Sequence, residues 1–522
     1  MLENIRHYIP EKFTARMSGN TALFEVPADE IVDVVTKLYA VHSLSLKMIT
    51  AADERNEHGC FKIFYVFFAP EERAFIVPFI ALRNREEFPS CAPVIHKAWN
   101  YERKIKTFFG LTPVGHPDPR PLILHENWPA DVFPLRKDFN GKERPPRAHG
   151  RYDFQRVEGE GVYEIPVGPI HAGIIEPGHF RFNVAGEEIL SLEPRLGFVH
   201  KGTEKLFETL PLEKKIRLSG KISGDSSFSH SLAFCQAIER LGGVKAAERS
   251  KYLRVVYAEL ERLANHFGDI GAIMLDTGFN FGGANGGRLR EMVMQINERL
   301  TGSRFLRMVN VIGGVSRDIT KEEKGKLIEE LRRIINDFSQ VIDVAENSAS
   351  LLNRLKDTGV VSHEVARDHG ATGVAAKAAG IAHDVRADHP YAAYPHCDLA
   401  VATGKEGDVN ARFYVRIKEV YSSYKLIKEA LEKLPGGSDT VTAGGGFSLE
   451  KNAVVVSMVE GWRGEIVYVV MTDGQGDISR VDVRDPSFLN WSLIEHAGPG
   501  NIVPDFPLIN KSFNLSYSGN DL

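Results

Sequence analysis

Apolar residues at Ile31, Val34, Val35 and Leu38 recur at helical spacing, whereas Phe61–Phe68 and Ala74–Leu82 are short continuous apolar runs of strand length. Together they predict a small α/β unit at the amino-terminal end. Farther along, the helical period dominates. Val256, Leu260, Leu263, Ala264 and Phe267 mark one amphipathic helix over Leu253–Phe267, and Leu327, Leu331, Ile334, Ile335, Phe338 and Ile342 mark a longer one over Lys321–Leu355. Thr320 and Glu323 stand at capping-box spacing before the second, and a third helix over Phe413–Leu434 halts at Pro435-Gly436-Gly437. Near the end, Ala453–Met458, Glu465–Met471 and Ile478–Val483 are β-rich, and Asp473-Gly474-Gln475-Gly476-Asp477 predicts a hairpin turn between the last two.

Between these regions, from about Phe139 to Glu160, charges, Gly and the Pro145-Pro146 pair replace apolar periodicity, which predicts a linker. The fold class is therefore α+β. A small α/β domain spans 1–139, a linker 140–160, and a mainly helical domain with a peripheral β-sheet 161–522. The chain of 522 residues is about three times the usual ~150 per domain, so separately cored units are expected. With 43% hydrophobic and 25% charged residues, the composition excludes a mainly disordered or fibrous protein. The net charge of −5 supplies no global attraction to nucleic acid or anionic membranes. No apolar run approaches the ~20 residues that span a bilayer.

Candidate chemistry is sparse by motif. Cys60, Cys91, Cys235 and Cys397 stand far apart with no CxxC, so they form neither a disulfide framework nor an all-cysteine metal site. The Gly282–Gly287 cluster lacks GxGxxG spacing and is read as a plain loop, and Gly444–Gly446 as a turn. His383, His389 and His396 with Asp384 and Asp388 lack helical ligand spacing and read as a loop. Glu261 and His266 are assigned packing or salt-bridge roles. The segment Arg217–His230 and the tail Asp505–Leu522 carry more polarity and glycine than a core requires.

Five stretches in order, GPIHAGIIEPGHFRF (168–182), GFVHKGTEKLFE (197–208), DVRADHPYAAY (384–394), GDVNARFYVRIKEVY (407–421) and DFPLI (505–509), carry a resemblance. From about Tyr163 onward the chain resembles the large subunit of group 4 [NiFe] hydrogenases of the formate hydrogenlyase and hydrogenase-4 type, and the related 49 kDa subunit of respiratory complex I. Trp99–Arg103 and GHPDPRPLILHENWPADVFPLRKDF (115–139) are similar to the 30 kDa subunit of complex I.

The departures from that family shape what the resemblance implies. The hydrogenases hold nickel and iron with four thiolates, and those positions here are Ser223, Ser226, Ser516 and Gly519. Hydroxyls are poor substitutes for bridging thiolates, so no working metal site is expected. The tyrosine that meets quinone in complex I aligns on Gly224. The quinone histidine falls near 175–177, leaving Glu176 and His179, with His171, as the polar groups of a candidate quinone neighbourhood. The chain thus resembles cysteine-less, hydrogenase-related energy-converting proteins, an oxidoreductase-type assignment that leaves catalysis itself open.

On this alignment the vacated cavity is lined by Lys221, Ser223, Asp225, Ser226, His230, Arg386, Asp388 and Ser516. Lys221 and Asp225 are expected to pair beside His230 and handle protons, or else merely to satisfy one another's hydrogen bonds. The resemblance further implies no cofactor on this chain itself and a small iron–sulfur partner that bears a [4Fe–4S] cluster. It also implies antiporter-like membrane subunits, quinone as a candidate ligand, and a peripheral place on the cytoplasmic side of the membrane. Three functions remain open: coupling of redox or conformational change to ion movement, electron transfer to quinone or another small acceptor, and a scaffold without chemistry.

Overall fold

In the computed structural model, which describes residues 2–172, 175–436 and 447–522, the first apolar runs pair into one sheet. Its strands are β1 (Ala15–Ser18), β2 (Thr21–Glu25), β3 (Ser45–Glu54), β4 (Cys60–Ala69) and β5 (Ala74–Leu82), in the order β1-β2-β5-β4-β3 with only β2 and β5 parallel. Helix α1 (Ile31–Thr36) buries Ile31, Val34 and Val35, as its period predicts. Helix α2 (Trp99–Phe109) follows and buries Tyr101, Ile105 and Phe108.

Residues 140–160 contain no helix or strand, yet they are pinned down: Arg120 donates to Asp153 O at 2.8 Å and Gln155 N to Glu193 Oε2 at 2.9 Å. The second of these contacts lies on a three-stranded sheet of β6 (Val162–Val167), β7 (His179–Ala185) and β8 (Glu188–Arg195).

The helical part is built from α3 (Ser227–Leu241), α4 (Glu248–Asp276), α5 (Asn280–Thr301), α6 (Lys321–Glu346), α7 (Ala349–Leu355) and α8 (Val409–Glu432). Every residue of α3 except Arg240 is buried. The capping box at Thr320 and Glu323 is present at the head of α6. The single helix expected over Lys321–Leu355 is instead two, because Asn347 ends the first and the Ser348 hydroxyl caps the second by accepting from Leu351 N.

The glycine cluster also departs from its loop reading. Gly282–Gly287 lies within α5, where a Cβ on Gly286 would sit 2.4 Å from Gly271 Cα of α4 and one on Gly283 would sit 2.9 Å from Leu275 Cβ. The glycines let two helices cross at backbone contact, a use that outweighs their poor helix propensity. Gly444–Gly446 lies outside the described residues.

The carboxyl-terminal sheet is β9 (Val454–Gly461), β10 (Gly464–Thr472) and β11 (Ile478–Arg484), consecutive and antiparallel, with the predicted turn between the last two. Beyond it come α9 (Phe506–Phe513) and α10 (Tyr517–Asp521). The amino-terminal unit does not keep a core of its own, and a second apolar cluster forms around Phe180, Trp491 and Phe506. The larger cluster runs from Ile5 to Leu522, because the amino-terminal sheet docks directly on the last one. Buried ion pairs stitch that junction: Lys47 to Glu465 at 2.6 Å, and Lys104 to Glu204 and Asp482 at 2.7 and 2.8 Å. No helix among the described residues is long and apolar enough to cross a membrane.

Candidate functional site

Three segments converge beside α4. The turn before α3 contributes Ser223 to Ser226, the tail contributes Asn514 to Gly519, and the two-residue turn between β9 and β10 contributes Trp462 and Arg463. Arg463 is the centre. Its Nη1 and Nη2 donate to Asp225 Oδ1 and Oδ2 at 2.6 and 2.8 Å, Nη1 also reaches Ser223 Oγ at 3.2 Å and Ser226 Oγ at 3.5 Å, and Nε donates to Asn514 O at 2.6 Å. Its guanidinium packs 3.9 Å from the Trp462 ring, which fixes the fork's orientation.

The four positions singled out in sequence therefore do meet. Ser516 Oγ donates to Ser223 Oγ at 3.0 Å, Ser223 Oγ donates to Asp225 Oδ1 at 2.8 Å, and Gly519 N donates to Ser516 Oγ at 2.9 Å. Gly519 lacks a side chain where Asp485 needs the space: a Cβ there would lie 2.6 Å from Asp485 Cγ. Burial pushes the Asp225 carboxyl up, but the Arg463 guanidinium and the Ser223 hydroxyl outweigh it and hold the group below its ordinary value.

A cavity of about 490 Å³ opens next to this cluster, with Glu176, Gly224, Asp225, Arg290, Arg307 and Tyr517 among its walls. Glu176 is held there by Ser518 N at 3.2 Å, and Gly224 leaves open the side that faces Arg307.

The other expected residues lie elsewhere. Lys221 is exposed and makes no pair with Asp225; its carbonyl accepts from Lys201 Nζ at 2.9 Å. Asp225 has turned to Arg463, 238 residues away, whose fork matches a carboxylate bidentately. His230 is buried behind the tail, between Asp485 Oδ2 at 2.9 Å and Tyr468 OH at 3.2 Å, and does not border the cavity. Arg386 is drawn away by Asp384 at 2.7 Å and Glu259 at 2.9 Å, and Asp388 by His383, so neither borders the cavity. His171 and His179 bond their own loop, at Gly178 O (2.7 Å) and Gly168 O (3.3 Å), instead of facing the cavity. The loop histidines form no metal-binding group among the described residues.

Sequence reasoning missed Arg463 because a hairpin-tip arginine looks like surface; its signal was a cation at a two-residue turn flanked by wholly buried strands. Glu261 fills the packing role assigned to it, accepting from Phe228 N at 2.6 Å and from Ser229 N and Oγ at 3.1 and 2.5 Å, a carboxyl at the head of α3. His266 likewise pairs with Glu419 at 2.7 Å.

Burial raises the Glu261 pKa to about 7, with the Asp225 charge adding and the three hydrogen bonds opposing. A carboxyl raised in this way keeps its proton in the folded state while the unfolded chain loses it. Its stabilising contribution is therefore full below the ordinary glutamate pKa and lost as pH rises through about 7. Urea titrations at pH 5 and pH 8 should show Glu261→Gln losing less stability than the parent across that window, by about 2–3 kcal/mol. Identical losses would remove Glu261 as the titrating group.

Comparison with known proteins places this geometry. The family described as "Respiratory-chain NADH dehydrogenase, 49 Kd subunit" matches residues 269–444 and 439–521, and "Respiratory-chain NADH dehydrogenase, 30 Kd subunit" matches 24–145. Hydrogenase-4 component G of Escherichia coli (strain K12) is 33% identical over 512 residues, covering 97% of this chain and 89% of that one. Formate hydrogenlyase subunit 5 of the same organism is 32% identical over 503 residues, covering 95% and 88%. NADH-quinone oxidoreductase subunit 4 of Thermus thermophilus is 33% identical over 381 residues, covering 68% and 92%.

Proposed function

This chain belongs to the family of the respiratory-chain NADH dehydrogenase 49 kDa and 30 kDa subunits, joined in one polypeptide and shared with hydrogenase-4 and formate hydrogenlyase components, and we propose that it is a large peripheral-arm subunit of a membrane-bound energy-converting complex that works without a nickel–iron centre. The observation that carries this reading is the Arg463–Asp225 pair among Ser223, Ser226 and Ser516.

A nickel–iron group does not fit these residues. Its bridging ligands would have to be thiolates, while the donors here are three hydroxyls, and Gly519 has no side chain to offer. A guanidinium occupies the centre, and two unit charges ~4 Å apart repel by roughly 4 kcal/mol at an effective dielectric constant of about 20. The site is already satisfied by a cation of the protein's own.

In this role the chain holds no cofactor. An adjacent small subunit supplies a [4Fe–4S] cluster, antiporter-like subunits supply the membrane path, and the assembly sits on the cytoplasmic side. The cavity beside Asp225 couples redox or conformational change to ion movement. A second reading, transfer of electrons to a quinone or other small acceptor, draws support from the size of the cavity and from Tyr517 and Arg307 in its wall, which can donate to a carbonyl oxygen.

Elemental analysis of the chain purified within its native complex is expected to find less than about one nickel per ten chains, because hydroxyls do not hold the soft metal pair. About one nickel per chain would overturn the reading.

A further inference from the structure

A second cavity, of about 590 Å³, lies where the amino-terminal sheet meets the last one, and it shares no lining residue with the cavity at Asp225. Its floor is ionic. Lys47 of β3 donates to Glu465 Oε2 at 2.6 Å, Arg484 Nη2 pairs with Glu465 Oε1, and His383 joins Asp388 to Glu465, its Nε2 at 2.8 Å from Oε2. Burial and the Lys47 charge lower the His383 pKa, but its bonds to Asp388 and Glu465 outweigh them and hold it above its ordinary value.

One cationic group is left without a partner and a second is only partly engaged. The Lys97 ammonium makes no hydrogen bond or ion pair among the described residues, and Arg484, its side chain 1% exposed, keeps Nε and Nη1 without an acceptor. Four basic side chains, Lys47, Lys97, Arg484 and His383, line this cavity with only two carboxylates, Glu465 and Asp388; Arg367 at the rim is engaged with Asp368. Burial, with repulsion from Arg484 and Lys47, pulls the Lys97 pKa well below its ordinary value, the behaviour of a cation lacking its counter-charge.

The chain is shaped to place that ammonium. Lys97 runs across Gly370, whose φ is +68°, and a Cβ on Gly370 would lie 2.4 Å from Lys97 Cδ. Leu44, Leu46, Phe68 and Ile381 make the opposite walls apolar.

We propose that this cavity binds a small organic anion, a phosphate or carboxylate on a compact apolar body, with the anionic end on Lys97 and Arg484 and the apolar end against Leu44, Phe68 and Ile381. The ligand would bridge the two parts of the chain across their junction. The half-buried Lys97 ammonium lacks a counter-charge and Arg484 keeps two buried N–H groups without an acceptor, so an anion that supplies their partner gains charge-assisted hydrogen bonds at both. The site does not depend on the reading given to the cavity at Asp225.

Isothermal titration of the full chain with phenyl phosphate, benzoate, inorganic phosphate and benzyl alcohol tests the inference. Phenyl phosphate or benzoate should bind at least tenfold tighter than inorganic phosphate, benzyl alcohol should not bind, and Lys97→Met should weaken the bound anion at least tenfold while Lys97→Arg retains it. Lys97→Met removes an unpaired charge and so should fold with an unchanged or higher Tm in the absence of anion. No binding of either aromatic anion, binding unchanged in Lys97→Met, or inorganic phosphate binding as tightly as phenyl phosphate would overturn it.

Discussion

Asp225→Ala is expected to cost the folded chain about 3 kcal/mol, while Lys221→Ala costs less than about 0.5 kcal/mol. The difference follows from where the two charges sit. Lys221 is exposed and its side chain holds nothing, so its loss resembles any surface substitution. Removing Asp225 strands the Arg463 guanidinium, whose side chain is only 6% exposed, among three hydroxyls and the Asn514 carbonyl. The Asp225 side chain is 28% exposed, so water screens part of the pair and keeps the cost at the low end of the range for a broken buried ion pair. Asp225→Ala combined with Arg463→Met should recover much of the loss, since it removes both charges together. Urea denaturation of the three variants decides it, and a Lys221→Ala loss equal to that of Asp225→Ala would sink the assignment.

That contrast also shows what a sequence can and cannot disclose. The resemblance places Lys221 and Asp225 both beside the lost ligand positions and so suggests a pair, yet a carboxylate chooses among all cations the fold brings near. The fold brings Arg463, whose planar fork meets both oxygens. The convergence of Ser223, Ser226, Ser516 and Gly519 was legible only through family resemblance, since no local pattern links positions almost 300 residues apart.

Local chemistry fared better where its signal was complete within a few residues. The Thr320–Glu323 box starts α6, and the Asp473–Asp477 turn joins β10 to β11. The glycines at 282–287 illustrate the opposite case. Their meaning depends on Gly271 across the helix crossing, and without that partner a glycine run looks like a loop. Likewise Arg386 and Asp388 were carried toward the cavity by resemblance, but buried carboxylates, one of them on α4, and a neighbouring histidine hold them apart from it.

The network that holds Arg386 supports the largest effect. Lys377 Nζ lies 2.7 Å from both Asp384 and Glu419 and 3.5 Å from Glu460, with its side chain fully buried. Arg386 pairs with Asp384 and Glu259, and Arg262 with Glu259 and Glu419. Three cations thus face four carboxylates, and burial together with the Asp384 charge pushes the Glu460 pKa upward, so that a proton on Glu460 completes the balance.

Lys377→Met removes one cation and leaves Asp384 and Glu419 underpaired in the core, a loss on the order of 4–5 kcal/mol at pH 8. Without the Lys377 charge, burial raises the pKa values of those carboxyls above the unfolded ones, so they take up protons. The variant's stability is consequently lost as pH rises through the raised values and regained toward pH 5. The consequence reaches the candidate site, because Arg262 also donates to the Glu460 and Gly461 carbonyls at 2.8 and 3.1 Å, holding the end of β9 that presents Arg463. Urea midpoints at pH 5 and pH 8 should therefore separate widely for Lys377→Met, with Lys377→Met combined with Glu419→Gln closing part of the gap. Stabilities within about 1 kcal/mol of the parent at both pH values would show that the network does not support the turn bearing Arg463.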